Sequence, residues 1–141
     1  MVWLKSAVPF IGILFLFQRT TAQLISQQYH LINVSLTWYD AQSFCRVKYT
    51  DLATVNNMDD KNKLVNTLGS NVTYCWIGLQ KGKTHRWMWS DGRGTAQFTP
   101  WAVGEPDNAG GNEWCGEMFQ NGRWNDAQCG GDSVYVCYER E

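Results

Sequence analysis

Five cysteines, Cys45, Cys75, Cys115, Cys129 and Cys137, constrain this chain more than any other set of its residues. In an oxidising compartment thiols pair by default, and the cross-links then fix which stretches of backbone lie together. The N-terminus points to such a compartment. Lys5 gives a basic start, Ala7 to Phe17 is an almost unbroken apolar run, and Thr20-Thr21-Ala22 offers the small residues of a cleavage site. Residues 1–22 therefore read as a signal peptide and 23–141 as the mature domain of a secreted, extracellular protein. The apolar run is well short of the roughly 20 residues that cross a bilayer, so no membrane anchor is expected. Zinc is a poor alternative use of the thiols, because there is no Cys-x-x-Cys and the only histidines, His30 and His85, stand apart. An odd count leaves one thiol over, and the sequence alone does not name it.

The mature chain is long enough for one domain with its own core. Its acidic side chains outnumber its basic ones, which excludes the basic footprint of a nucleic-acid binder. All the tryptophans but Trp3 fall in it, and rings of that size must be buried against something. The sequons Asn33-Val34-Ser35 and Asn71-Val72-Thr73 fit secretion and predict glycosylation at Asn33 and Asn71.

The pattern along the chain is α+β. Tyr29 to Ile32 reads as a strand. Thr37 is placed to cap a helix carrying Asp40 in its first turn, with Trp38, Ala41, Phe44 and Cys45 on one face. After an extended piece from Asp51 to Val55, Asn57 caps a second helix with Asp59 and Asp60 at its positive end, an apolar face of Leu64, Val65 and Leu68, and Gly69 as its stop. From residue 74 the texture is β. Tyr74 to Leu79 is apolar on both faces and is predicted to be central in its sheet. Arg86 to Trp89 and Ser133 to Tyr138 are further strands, and Asn121-Gly122 predicts a type I′ hairpin turn.

Between these strands runs a long stretch, Gly94 to Trp114, with neither helix nor strand pattern. Connections of this length are uncommon in compact domains unless they have a function. From Gly104 onward the chain is crowded with oxygen donors: Glu105, Asp107, Asn108, Asn112, Glu113, Asn125 and Asp126. Hard oxygens at this density suit Ca²⁺, which takes six to eight of them at about 2.3–2.6 Å. The same residues also make ordinary polar turns, so composition leaves both readings open.

The order of these pieces resembles the C-type lectin domain family. The resemblance is carried by Trp76-Ile77-Gly78-Leu79, the loop with Glu105-Pro106-Asp107, and Trp124-Asn125-Asp126 bounded by cysteines. It implies the C-type lectin fold, two helices with small antiparallel sheets and a long calcium-binding loop. It implies disulfides Cys45–Cys137 and Cys115–Cys129, which leave Cys75 either as a buried inert thiol or as a bridge to a second chain in a homodimer. It further implies that Glu105, Asp107, Glu113, Asn125 and Asp126 hold one calcium ion and contact a glycan through it, beside a Pro106 that is usually cis in the family. The expected function is calcium-dependent carbohydrate binding, in recognition of microbial or cell-surface glycans. No nucleophile stands beside a base, so the reading is binding and not catalysis.

Glu105-Pro106-Asp107 is a hybrid of the family's mannose-type Glu-Pro-Asn and galactose-type Gln-Pro-Asp. A calcium-bound hydroxyl still has a proton to donate and a lone pair to fill, and Asp107 offers no N–H for the second. No aromatic platform follows the motif, since the next residues are Asn108-Ala109-Gly110-Gly111. Mannose-type glycans of weakened selectivity are therefore expected first and galactose-type second. The alternative is a domain of the same fold that binds a protein or ice surface without sugar. A second calcium site is not expected, because Lys81, His85, Asn108 and Trp114 lie where acids are needed.

Overall fold

A computed structural model of the protein describes residues 27–140. The expected signal peptide lies outside the described residues. Two helices form where the caps predict them. α1 spans Trp38–Lys48 and follows Thr37, whose hydroxyl accepts the Asp40 N–H at 3.3 Å. Trp38, Ala41 and Cys45 make its buried face. Phe44, on the same side, is more than a third exposed but sets its ring edge-on to Tyr135 at 5.9 Å. α2 spans Met58–Leu68, and here the capping is reciprocal: Asn57 Oδ1 accepts the Asp60 N–H and the Asp60 carboxylate accepts the Asn56 N–H, both at 2.9 Å. Gly69, at φ 71°, ends it in the left-handed region that glycine enters freely.

The strands are β1 (Gln27–Leu36), β2 (Asp51–Leu52), β3 (Tyr74–Lys81), β4 (Trp87–Trp89), β5 (Cys115–Phe119), β6 (Trp124–Ala127) and β7 (Ser133–Arg140). The α+β class stands. Instead of separate small antiparallel sheets, however, the described strands join one sheet in the order β1-β7-β3-β5-β6, with β2 added on β7 and β4 on β3. The join is the parallel contact between β3 and β7 at Trp76 and Tyr135, which ties together strands distant in sequence. β3 is central, as its two apolar faces require, and five consecutive residues from Cys75 to Leu79 are buried.

Two buried clusters flank β3. One gathers Ile77, Leu79, Trp89, Met118 and Trp124 under α2; the other packs Trp38, Cys45, Leu52, Trp76 and Tyr135 under α1. Two of the buried indoles are satisfied by carbonyls from other elements: Trp38 Nε1 donates to Ile77 O at 2.8 Å and Trp76 Nε1 to Leu36 O at 3.0 Å. Gly78 lies between these aromatics because β2 runs against it. A Cβ at that position would stand 2.9 Å from Leu52 O and 3.0 Å from Ala53 O, closer than side chains approach backbone.

Both implied disulfides are formed, Cys45–Cys137 and Cys115–Cys129. Cys75 is free and has no exposed surface, and burial beside the Glu117 charge pushes its thiol up, away from the reactive thiolate. Of the two readings for Cys75, its burial is that of the inert thiol.

Candidate metal centre

The stretch between β4 and β5 leaves the sheet and returns with little regular structure of its own, a 3₁₀ turn at Ala109–Gly111 and isolated bridges at Thr95 and Trp101. It is pinned from below by aromatic packing. Trp124, at the start of β6, is fully buried, and Trp89, Phe98 and Trp101 meet its ring at nearly right angles with centroids 5.6–6.2 Å apart. The Trp124 N–H and C=O close the contact by pairing with Pro100 O at 3.0 Å and the Ala102 N–H at 2.9 Å. Asn125 and Asp126 follow directly, so the residue that anchors the loop also places two polar side chains under it.

Above them the acidic residues converge. Glu105, Asp107 and Asp126 bring carboxylate oxygens within 4.8 Å of one another, the one such group among the described residues. Asp126 is fully buried yet meets the loop's own backbone: its Oδ1 accepts the Asp107 N–H at 3.2 Å and its Oδ2 the Asn108 N–H at 2.7 Å. The Glu105–Pro106 peptide is cis, as the resemblance implies. Glu105 Oε1 accepts from the Asp107 N–H at 3.2 Å, and Asp107 Oδ1 from the Ala109 N–H at 3.3 Å.

Of the five candidate residues, the structure brings three into that cluster and sets two beside it. Glu113 joins through the loop backbone: its Oε1 accepts the Ala109 N–H at 3.0 Å, and its own N–H donates to Asn108 Oδ1 at 3.0 Å. Asn125 is oriented from β5, donating from Nδ2 to Glu117 Oε1 at 3.0 Å. One amide hydrogen and the amide oxygen are left for other partners.

Glu117 and Asn108 hold candidate residues in place, Asn125 and Glu113 respectively, a role that sequence reasoning missed. Glu117 is buried and directly opposite Asn125 in the β5–β6 register. That pairing follows from the hairpin turn, which differs from expectation. Gly122 has φ 88° but Asn121 is not in the left-handed region, so only one central residue takes positive φ. The Gly122 N–H donates to Phe119 O and the Phe119 N–H to Arg123 O, both at 2.8 Å, which makes a three-residue loop with a glycine bulge in place of the two-residue type I′ turn.

Crowding favours the protonated form of Glu105 and Glu113, and burial that of Glu117. Lost solvation, a hydrogen bond with Asp126 and the nearby Asp107 charge push Glu105 up to about 7. Glu113 is raised by lost solvation and by the Asp126 and Asp107 charges, against the Ala109 N–H that lowers it. Glu117 is raised by burial, partly offset by the Asn125 amide. Three converging carboxylates, with a fourth and an amide oxygen adjacent, form a hard oxygen set poor in protein cations, which is the chemistry that fits Ca²⁺.

The Lectin C-type domain model matches residues 34–139. L-selectin of Rattus norvegicus is 36% identical over 116 residues, covering 78% of this chain and 31% of its own length. The chain thus spans about a third of that relative. Among solved structures, the mouse scavenger receptor C-type lectin carbohydrate-recognition domain matches with TM-score 0.74 and 28% identity over 82% of this chain and 92% of its own. The cow C-type carbohydrate-recognition domain of CD23, in the presence of GlcNAc2Man3 oligosaccharide, matches with TM-score 0.74 and 26% identity over 82% and 88%.

Proposed function

Because the chain belongs to the C-type lectin domain family, we propose that it is a secreted, calcium-dependent carbohydrate-binding protein and not an enzyme. The observation that carries the reading is the convergence of Glu105, Asp107 and Asp126 within 4.8 Å. These three, with Glu113 and Asn125, would hold one Ca²⁺. The ion would supply coordination for two adjacent sugar hydroxyls, and Glu105 and Glu113 would give up protons to receive it. The protein's part is orientation. Backbone N–H groups of Asp107, Asn108 and Ala109 fix the carboxylates, and Glu117 fixes the Asn125 amide.

Mannose-type glycans are the first ligand class. The oligosaccharide in the CD23 structure supports a glycan of that kind, and Glu105 keeps the mannose-type half of the hybrid motif. Asp107 favours the second reading, a protein-binding or ice-binding domain of the same fold, because it supplies no side-chain N–H to a sugar hydroxyl. Asn33 and Asn71 are both exposed, as glycan acceptors must be, and no helix of the described residues is long and apolar enough to cross a membrane.

The deciding experiment is retention on immobilised mannan and galactan in calcium and in EDTA. Retention on mannan that is lost in EDTA is expected. Retention unchanged by chelation would refute the calcium mechanism, and calcium-induced thermal stabilisation with no retention on either matrix would favour the second reading.

A further inference from the structure

The turn between β3 and β4 carries a charge pattern that the calcium site does not use. From Lys61 to Ser90 the sequence contains Lys61, Lys63, Lys81, Lys83 and Arg86 and no acidic residue at all, whereas Glu105 to Glu139 is dominated by acids. Four of the potential cations fall within six residues, Lys81 at the end of β3 and Lys83, His85 and Arg86 in the turn that follows it. Lys83, His85 and Arg86 are exposed. The ion pairs of the described residues are His30–Glu139, Arg46–Asp51 and Arg93–Asp91, so none of the charges on this turn is neutralised by a carboxylate.

The turn is also fixed in place, against the loop of the candidate centre. The Lys81 N–H donates to Trp114 O at 2.8 Å, and Trp114 directly follows Glu113. The Lys81 ammonium lies 4.6 Å from the centroid of the Trp114 ring and 5.6 Å from that of Trp87, and the His85 ring packs on Trp114 at 5.3 Å. His85 takes φ 66°, and the Gly82 N–H to Arg86 O bond of 2.7 Å closes the turn. Lys81 is thereby held by the rings, while Lys83 and Arg86 remain as two free charges on a preorganised mount.

We propose that Lys83 and Arg86 form an anion subsite beside the calcium loop, which selects glycans carrying sparse sulfate or carboxylate groups over neutral ones. This rests on the carbohydrate reading above. The neutral hydroxyls engage the loop and an anionic substituent on the same glycan meets the turn. A uniformly charged polyphosphate is disfavoured, because it would also run over the carboxylates of Glu105 to Glu139.

The test compares binding to mannan and galactan, each in neutral and sparsely sulfated form, in calcium at about 0.15 M salt, where a Debye length of about 8 Å leaves adjacent charges effective. Wild-type protein is expected to bind the sulfated form several-fold more tightly, with the gain shrinking as salt rises. Lys83→Gln/Arg86→Gln should abolish the gain and leave neutral-glycan binding unchanged, with an unaltered thermal midpoint as the check on folding. Equal affinity of the wild type for both forms, or a gain that survives in the variant, overturns the subsite. Equal gains from a polyglutamate matrix show an acidic peptide to be the partner and overturn the glycan assignment. Absence of binding to any of the four glycans overturns the carbohydrate reading, and the subsite with it.

Discussion

Asp107 carries the question of selectivity because its surroundings leave it little freedom to compensate. One carboxylate oxygen accepts the Ala109 N–H, and the side chain has no proton to give to a sugar. Replacing it with asparagine supplies that donor and removes one negative charge from the cluster. Asp107→Asn is therefore expected to strengthen mannan binding by up to about tenfold, the equivalent of one net hydrogen bond of about 0.5–1.5 kcal/mol. Unchanged or weaker mannan retention would show that selectivity lies elsewhere. The neighbouring Glu105, pushed up to about 7, sets the pH behaviour. Between the ordinary carboxylate range and pH 7 the folded, metal-free protein holds a proton that the unfolded chain does not. Its stability in EDTA is then expected to rise as pH falls from 8 to 5.5. With calcium the order reverses, because the ion and the protons compete for the same oxygens. Thermal midpoints across this pH range, with calcium and with EDTA, must diverge in opposite directions for the account to hold.

At the scale of elements, the site depends on the β5–β6 hairpin, where a shift of one residue decides what supports what. In the observed register Glu117 faces Asn125 and Met118 faces Trp124. A two-residue turn at Asn121-Gly122 would instead set Glu117 opposite Asp126, placing two acids together and leaving Asn125 without its partner. The glycine bulge prevents this. Glu117→Ala is expected to lower calcium affinity about tenfold or more, as loss of a ligand-orienting group does, while the hairpin itself stays formed. Calorimetric titration with calcium tests it, and an unaltered affinity would remove Glu117 from the site. The same hairpin shows what the sequence made legible. Helix caps at Thr37 and Asn57 and the doubly apolar β3 could be read directly, because each rests on residues a few positions apart. The density of oxygen donors already drew attention to Glu105, Asp107, Glu113, Asn125 and Asp126, but only the family motif separated these five candidates from Asn108 and Asn112, since residues converging from a loop and a strand leave no local periodicity. Glu117 was not legible, because its role depends on a bulge that the Asn-Gly pair does not distinguish from a tighter turn. The parallel join of β3 to β7 was hidden for a related reason: it pairs Trp76 with Tyr135, far apart in the chain.

For the whole molecule, the two disulfides divide the work of stability and function. Cys45–Cys137 spans 92 residues and ties α1 to β7, within the cluster of Trp38, Trp76 and Tyr135. Cys115–Cys129 spans 14 residues and clamps the start of β5 to the segment after β6, where Cys115 pairs with Ala127 one residue beyond Asp126. In the chain-entropy model the long loop contributes about 4–5 kcal/mol and the short one about 3. Their effects on calcium are expected in the opposite order. Opening the short bridge frees the strand ends that carry Asn125 and Asp126, whereas opening the long one loosens the sheet on its far side from β6. Cys45→Ala/Cys137→Ala is thus expected to give the larger loss in urea stability and Cys115→Ala/Cys129→Ala the larger loss in calcium affinity, each measured where the variant remains folded. If the long bridge governed both quantities, the site would be a property of global stability. If the short bridge alone governs calcium, the centre is built locally on a hairpin that the rest of the fold only holds still.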